Sequence, residues 1–231
     1  MKKLFISFFI LVISLNIFSQ NGRNGPSLWE EIRDNSKLNY DNTKPQITEA
    51  LKKYNSHQYL INRLSKNGQR YLFYTVSEAL KRDLPVELSL IPFIESQFDP
   101  YAQSSTGASG IWQFIPSTAK ENGLKKNWWY DARRDIVAST NAAYNFLTKL
   151  HQEHDDWLIA IAAYNAGPSR VRKEIKKNKA KGLPTDFWSL NLPKETKAYV
   201  PKILALSEVI RNPQVSNLSL IHISEPTRHP L

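Results

Sequence analysis

Apolar residues recur at three- and four-residue spacings through the first third of the chain. Over 45–55, 57–67 and 69–83 this spacing predicts three amphipathic helices. A shorter helix is expected over 26–35, with Ser27 as its N-cap and the acids Glu30 and Glu31 in its first turn. From 84 the pattern changes. Val86, Leu88, Leu90, Ile91, Phe93 and Ile94 leave almost no polar face, which predicts a helix buried all round. Asp99 precedes Pro100 and is pushed out of the α region, so this helix should end near Phe98. Further on, 135–154 reads as a helix with small Ala-rich faces. The stretch 156–165 reads as an all-apolar helix stopped by Gly167-Pro168, and 193–212 as a helix with a kink at Pro201. No stretch alternates with a period of two and no internal repeat is visible. The expected fold is all-α.

Glu95 is the polar residue that stands out against this pattern. It sits near the end of the all-apolar run, and no Lys or Arg lies within ten residues on either side. A carboxyl carried into a core loses hydration, its neutral form is favoured and its pKa rises. Such a group can serve as a general acid at neutral pH. Beyond it lies a turn-rich segment with Ser104, Ser105, Thr106, Gly107, Ser109 and Gly110, then Ile111-Trp112-Gln113-Phe114. Small residues let a ligand approach the backbone. A Trp and a Gln offer a stacking face and a hydrogen-bonding tip for a neutral, hydroxyl-rich ligand. By residue type alone, two readings stay open: a sugar-cleaving site, or a buried helix with one capped Glu beside an ordinary Gly/Ser loop.

Four motifs decide between them. Glu95-Ser96, Ser104 and Gly107-Ala-Ser-Gly110-Ile-Trp-Gln113 resemble the catalytic core of lytic transglycosylases of the soluble-lytic-transglycosylase type, which have a lysozyme-like fold. The stretch 162–171 resembles that family's Ala-Tyr-Asn-Ala-Gly motif, and 192–205 its Glu-Thr-x-x-Tyr-Val segment. Trp112 before Gln113, and Asp-Ala-Arg-Arg-Asp at 131–135, are closest to its membrane-bound D-type members. The likeness runs from about Trp29 to about Pro213 with the motifs in the family's order, a far more specific signal than any single short motif.

The resemblance implies a lysozyme-like transglycosylase domain over 84–213, preceded by a helical arm that serves as scaffold within 20–83. It implies cleavage of the β-1,4 bond between N-acetylmuramic acid and N-acetylglucosamine in peptidoglycan glycan strands. The reaction uses no water and leaves a 1,6-anhydromuramic acid end. Glu95 would be the catalytic acid and base. Ser104, Gln113, Tyr164, Asn165, Glu195 and Tyr199 would bind glycan or steady Glu95. Standard glycosidases need two carboxylates; the only nearby second acid, Asp99, lies beyond a helix end and is not expected to be catalytic. Two other functions remain as alternatives: a lysozyme-type muramidase, which hydrolyses, and a non-catalytic wall-binding protein. No cofactor or metal is called for. His151 and His154 are spaced i, i+3, but a closed zinc site needs four ligands, and both are read as surface residues.

Composition adds location. The 231 residues include no Cys, which excludes disulfides, Cys–zinc sites and the lipidated Cys that D-type members can carry. Lys2 and Lys3, the apolar run 4–18 and Ser19 read as a signal peptide over 1–19, shorter than the ~20 residues of a spanning helix. The protein is therefore expected in the periplasm or cell envelope, with peripheral association there. The net charge of +10 includes a basic run over 170–182. Export argues against nucleic acid as its partner; the run reads as a solvated face, or as attraction to an anionic wall polymer. The segment 21–27 reads as a flexible linker. Trp128, Trp129 and Tyr130 can stack on sugar rings or close the core, and packing is expected for at least two of them. The ions of 131–135 are expected to pair and cap the next helix. Finally, 214–231 reads as a tail. Within it, 218–231 resembles a translated DNA-library adapter, with the natural protein continuing toward the LysM repeats usual in D-type members.

Overall fold

The computed structural model describes residues 27–212. The expected signal peptide and the tail beyond 212 lie outside these residues. The architecture is all-α. α1 spans Leu28–Asp34, α2 Pro45–Ser56 and α3 Gln58–Lys81. A 3-10 turn, Val86–Leu90, leads into α4, Ile91–Ser96, and α5 is Pro116–Glu121. Then come α6, Ile136–His154; α7, Trp157–Ala166; α8, Pro168–Ala180; a 3-10 turn, Phe187–Ser189; and α9, Lys194–Arg211. Among the described residues there is no β-strand; isolated bridges pair Gln103 with Ser109, Ser109 with Phe114, and Lys126 with Asp131.

Most helix starts follow the local chemistry. Ser27 and Glu30 form a reciprocal capping box on α1, in which the Glu30 amide donates to Ser27 Oγ and the Ser27 amide donates to Glu30 Oε2. Asp135 caps α6 by accepting from the Ala138 amide at 2.8 Å. Asp156 caps α7 by accepting from the Leu158 amide at 2.7 Å. Gly167, with φ +87°, joins α7 directly to α8, whose first residue is Pro168. α9 runs past Pro201 as one helix and is buried on most sides, from Thr196 to Ile210. It packs against α1, α2, the first 3-10 turn, α4 and α7, so it lies at the centre of the core.

Three expectations need correction. The stretches 57–67 and 69–83 are not two helices but the single α3, because Gly68 stays helical within it. Gly68 is buried against Leu72 and Phe98, where even a Cβ would make only ordinary contacts, 3.8 Å from the Phe98 ring, so packing on both sides carries the helix through it. The apolar run after 84 is likewise not one helix. It starts as a 3-10 turn and becomes α-helical only at Ile91, where Pro92 suits a first turn and not an interior. It also ends earlier than Phe98, at Ser96. Gln97 and Phe98 both take the left-handed conformation, with φ of 54° and 61°. Such backbone costs a bulky residue about 1–3 kcal/mol. Here it is held by burial of the Phe98 ring and by Asn67 Nδ2, which donates to the Gln97 carbonyl at 2.9 Å.

The N-terminal arm shares one hydrophobic cluster with the rest of the chain, through Leu28, Trp29, Ile32 and Ile47. Polar ties reinforce it. Fully buried Glu87 accepts from the Leu38 amide at 3.0 Å and the Lys37 amide at 3.2 Å. Tyr40 donates to Glu208 Oε1 at 2.8 Å. The end of α3 is fixed to α6 by Arg82, which donates to Asn141 at 2.6 Å and to Asn145 at 3.0 Å.

The segment 101–114 depends on one glycine. Gly110 has φ +83°, and a Cβ built there would fall 1.8 Å from the Arg133 carbonyl oxygen. That oxygen belongs to the backbone and cannot swing aside. Gly110→Ala is expected to destabilise the fold by about 3 kcal/mol or more. Gly123→Ala, at φ +77° with open space around it, should cost only about 1 kcal/mol. Denaturant melts of the two variants check the contrast.

Candidate active site

Glu95 lies on the last turn of α4, partly buried. Its Oε1 accepts a 2.5 Å hydrogen bond from the Tyr199 hydroxyl, which projects from the middle of α9. Burial pushes the Glu95 carboxyl up to about 7, and the negative charge of Glu195 works in the same direction. The Tyr199 bond and the positive charge of Lys202 pull the other way but do not cancel burial. Both Tyr199 and Tyr164 feel the Glu95 charge, and burial holds both phenols far above their usual range. They are therefore neutral at physiological pH and act only as hydrogen-bonding groups. The result is a carboxyl poised near neutrality, able both to give and to take a proton.

The loop opposite is fixed by side chains that bond to backbone. Ser96 Oγ lies 3.1 Å from the Ile111 carbonyl, joining α4 to the loop. Tyr164, near the end of α7, donates to the Trp112 carbonyl at 2.6 Å. Arg133 is buried; it pairs with Asp131 at 2.7 Å and reaches the carbonyls of Gly107 at 2.7 Å and Phe114 at 3.1 Å. Asn165 Oδ1 accepts from Thr196 Oγ1 at 2.8 Å, which ties the end of α7 to the start of α9.

Of the residues singled out from sequence, Glu95, Tyr199, Tyr164 and Glu195 are brought into one electrostatic group. Asn165 is fastened beside Glu195 through Thr196. Ser104 is half-buried and occupied locally: its Oγ accepts from the Ala108 amide at 3.0 Å and meets Thr106 Oγ1 at 2.9 Å. Gln113 spends its amide nitrogen on the carbonyls of Gly110 at 2.8 Å and Ala102 at 3.2 Å. Trp112 offers no stacking face. It is fully buried, lies edge-on to Tyr144 and donates Nε1–H to Thr140 at 3.0 Å. Asp99 accepts from the Tyr101 amide at 2.9 Å, a turn-forming role. Five surface cavities of 270–700 Å³ are lined by other residues, and Glu95 borders none of them.

Sequence reasoning missed Ser96 as a clamp, Arg133 as the loop's anchor and Lys202 as a nearby charge. Neither Arg133 nor Lys202 has a local signal: Arg133 lies 23 positions beyond Gly110, and Lys202 lies 107 positions downstream of Glu95 and reaches it only through the packing of α9. The expectation that the ions of 131–135 pair and cap α6 holds. The expected packing of Trp128 and Trp129 does not: they are 89% and 90% exposed, because Leu124 and Ala132 close the core on either side of their turn. The histidines are not exposed either. Asp155, at φ 52°, reverses the chain so that Trp157 stacks on His151 at 4.0 Å, and the His154 side chain is buried. Among the described residues no group of His, Cys, Asp or Glu could hold a metal ion, and no helix is long and apolar enough to cross a membrane.

An all-α fold with one half-buried, near-neutral carboxyl beside a clamped Gly-rich loop fits the lysozyme-like class. Comparison with known proteins specifies it further. Residues 75–186 match the model of the Transglycosylase SLT domain. Over 186 residues the chain is 47% identical to membrane-bound lytic murein transglycosylase D of Escherichia coli strain K12, covering 80% of this chain and 41% of that protein. It is 40% identical over 151 residues to a putative tributyltin chloride resistance protein of Alteromonas sp. strain M-1, covering 65% of this chain and 72% of that one. The X-ray structure of an inactive mutant of lytic transglycosylase Slt from Pseudomonas aeruginosa aligns with a TM-score of 0.47 at 29% identity, over 64% of this chain and 24% of that one. The chain belongs to the transglycosylase SLT family. It spans about two fifths of the length of the transglycosylase D proteins it matches.

The raised pKa of Glu95 has a consequence for stability. The group's folded value, about 7, lies above its ordinary 4.5, so the folded state holds this proton more tightly. Its contribution to stability is therefore present at low pH and is lost as pH rises from about 4.5 to about 7. Glu95→Gln removes the titration and keeps the acceptor for Tyr199. The variant should gain on the wild type by about 1–3 kcal/mol between pH 4.5 and pH 8. Melting curves at the two pH values check this; a difference that stays flat would contradict the placement of the carboxyl.

Proposed function

We propose that this chain is a peptidoglycan lytic transglycosylase. The observation that carries the reading is a single carboxyl, Glu95, held near neutrality by burial and bonded to Tyr199. Membership of the transglycosylase SLT family supports it. The substrate is the glycan strand, cut at the β-1,4 bond between N-acetylmuramic acid and N-acetylglucosamine.

Neutral Glu95 gives its proton to the bridging oxygen as the bond to C1 of the muramic acid breaks. The substrate's acetamido oxygen supports the electron-poor C1. Glu95, now a carboxylate, takes the proton of the C6 hydroxyl as O6 attacks C1 of the same sugar. The 1,6-anhydro ring closes and Glu95 returns to its starting form. The tethered hydroxyl has a high effective molarity, so neither water nor a second carboxylate is needed. Tyr199 steadies the carboxyl. Burial keeps its pKa high, and the charge of Glu195 adds to the rise. Tyr164 and Asn165 fix the ends of α7 and α9 around it, and Ser104 and Gln113 shape the loop that receives the glycan. The reading places the protein outside the cytoplasm, at the cell envelope, as the signal-like run 1–19 suggests.

Glu95→Gln should lower turnover on purified peptidoglycan by at least ~10²–10⁴-fold with the fold intact. Mass spectrometry of the wild-type digest should find anhydromuramic ends; reducing ends would make the enzyme a hydrolase on the same scaffold. Retained activity in the variant would overturn the role of Glu95.

The pH profile tests the electrostatics separately. Since the first step needs neutral Glu95, kcat/KM should fall about tenfold per pH unit above pH about 7. Tyr199→Phe removes a bond to the carboxylate and should move this limb to higher pH. Glu195→Gln removes a repelling charge and should move it lower.

A further inference from the structure

Trp128 and Trp129 are the most exposed large apolar side chains among the described residues, at 89% and 90%. Their backbone is firmly held. Asn127 Oδ1 accepts from the amides of Trp129 and Tyr130, both at 2.8 Å, and the Asn127 amide donates to the Tyr130 carbonyl at 2.8 Å. Lys126 bridges to Asp131, whose carboxylate is gripped by buried Arg133. The chain thus forms a braced turn that pushes two adjacent indoles into solvent. Contiguous exposed apolar surface of this kind marks an interaction site.

The surroundings indicate the partner. Lys120, Lys125 and Lys126, all exposed, line a 700 Å³ cavity at the foot of the turn together with Pro116, Ala119 and Leu124. Residues 120–135 carry five basic and three acidic side chains, so the tip is net positive. We propose that this tip docks on an anionic phospholipid bilayer, with the two indoles at headgroup depth and the lysines beside lipid phosphates. Indoles favour that depth because one edge is apolar and the other carries an N–H donor. Each lysine near an anionic membrane adds attraction that salt weakens. A neutral sugar would gain little from three lysines, whereas lipid phosphates would pair with them. Here Asn127, the amide at the base of the turn, already spends its oxygen on the turn itself. The inference is independent of the transglycosylase reading.

The test is flotation of the full chain with phosphatidylcholine vesicles, with and without phosphatidylglycerol, using bromine-labelled lipid to quench indole emission. The wild type should float with the anionic vesicles and be quenched. Trp128→Ala/Trp129→Ala, checked by an unchanged melting curve, should bind at least ~10-fold more weakly and lose most of the quenching. Replacing Lys120, Lys125 and Lys126 with Gln should weaken binding roughly fivefold per residue at low salt, and little at high salt. Equal flotation and quenching of wild type and double Trp variant would overturn the proposal, as would no binding at all. If the double variant instead lost co-sedimentation with purified peptidoglycan while its vesicle binding was unchanged, the tip would be a wall-polymer surface and the proposal would fail.

Discussion

The structure turns on the contact between Glu95 and Tyr199, two residues 104 positions apart. α4 is only six residues long and cannot hold itself in place as an isolated helix. Its position is dictated by what it is pressed against, chiefly α9 and the preceding 3-10 turn. That packing strips water from the carboxyl and raises its pKa; the phenol then supplies one donor that limits the rise. Burial without Tyr199 would leave a carboxyl too weak as an acid, and a fully hydrated one would be ionised throughout. The balance of the two puts the group near neutrality, and it requires α9 to arrive at the site with its tyrosine facing α4.

The loop facing Glu95 obeys a different rule. It has almost no regular pairing, so its shape rests on side chains that satisfy its carbonyls: Ser96 for Ile111, Tyr164 for Trp112, Arg133 for Gly107 and Phe114. Those donors come from three separate elements. The loop is therefore formed only once α4, α7 and the 131–135 segment are all in place, and Gly110 gives Arg133 the room to come close.

The helices, their caps and the solitary Glu were legible because each has a local cause: a three-four spacing, an Asp or Ser before the first turn, a carboxyl in an apolar run. The motif resemblance added the distant members Tyr164, Asn165, Glu195 and Tyr199, which no local pattern would have joined to Glu95. What was not legible depends on packing. Gly68 looks like a break in a helical pattern, yet α3 runs through it, packed there against Phe98. Trp112 and Trp128 have the same side chain, but one is sealed in the core and the other stands in solvent. Composition cannot separate them, because the difference lies in whether the turn that carries each faces inward.

Glu87 sets a limit on how the chain could be divided. Its carboxylate is fully buried, and the donors that satisfy it are backbone amides of residues 37 and 38. The window shared with the family, 75–186, contains the acid but neither those amides nor α9. Cut out alone, that window would leave the Glu87 side chain without its amide donors and would lack the helix around which the core is built. The unit that can be transplanted, fused or recombined is therefore larger than the unit that sequence comparison recognises.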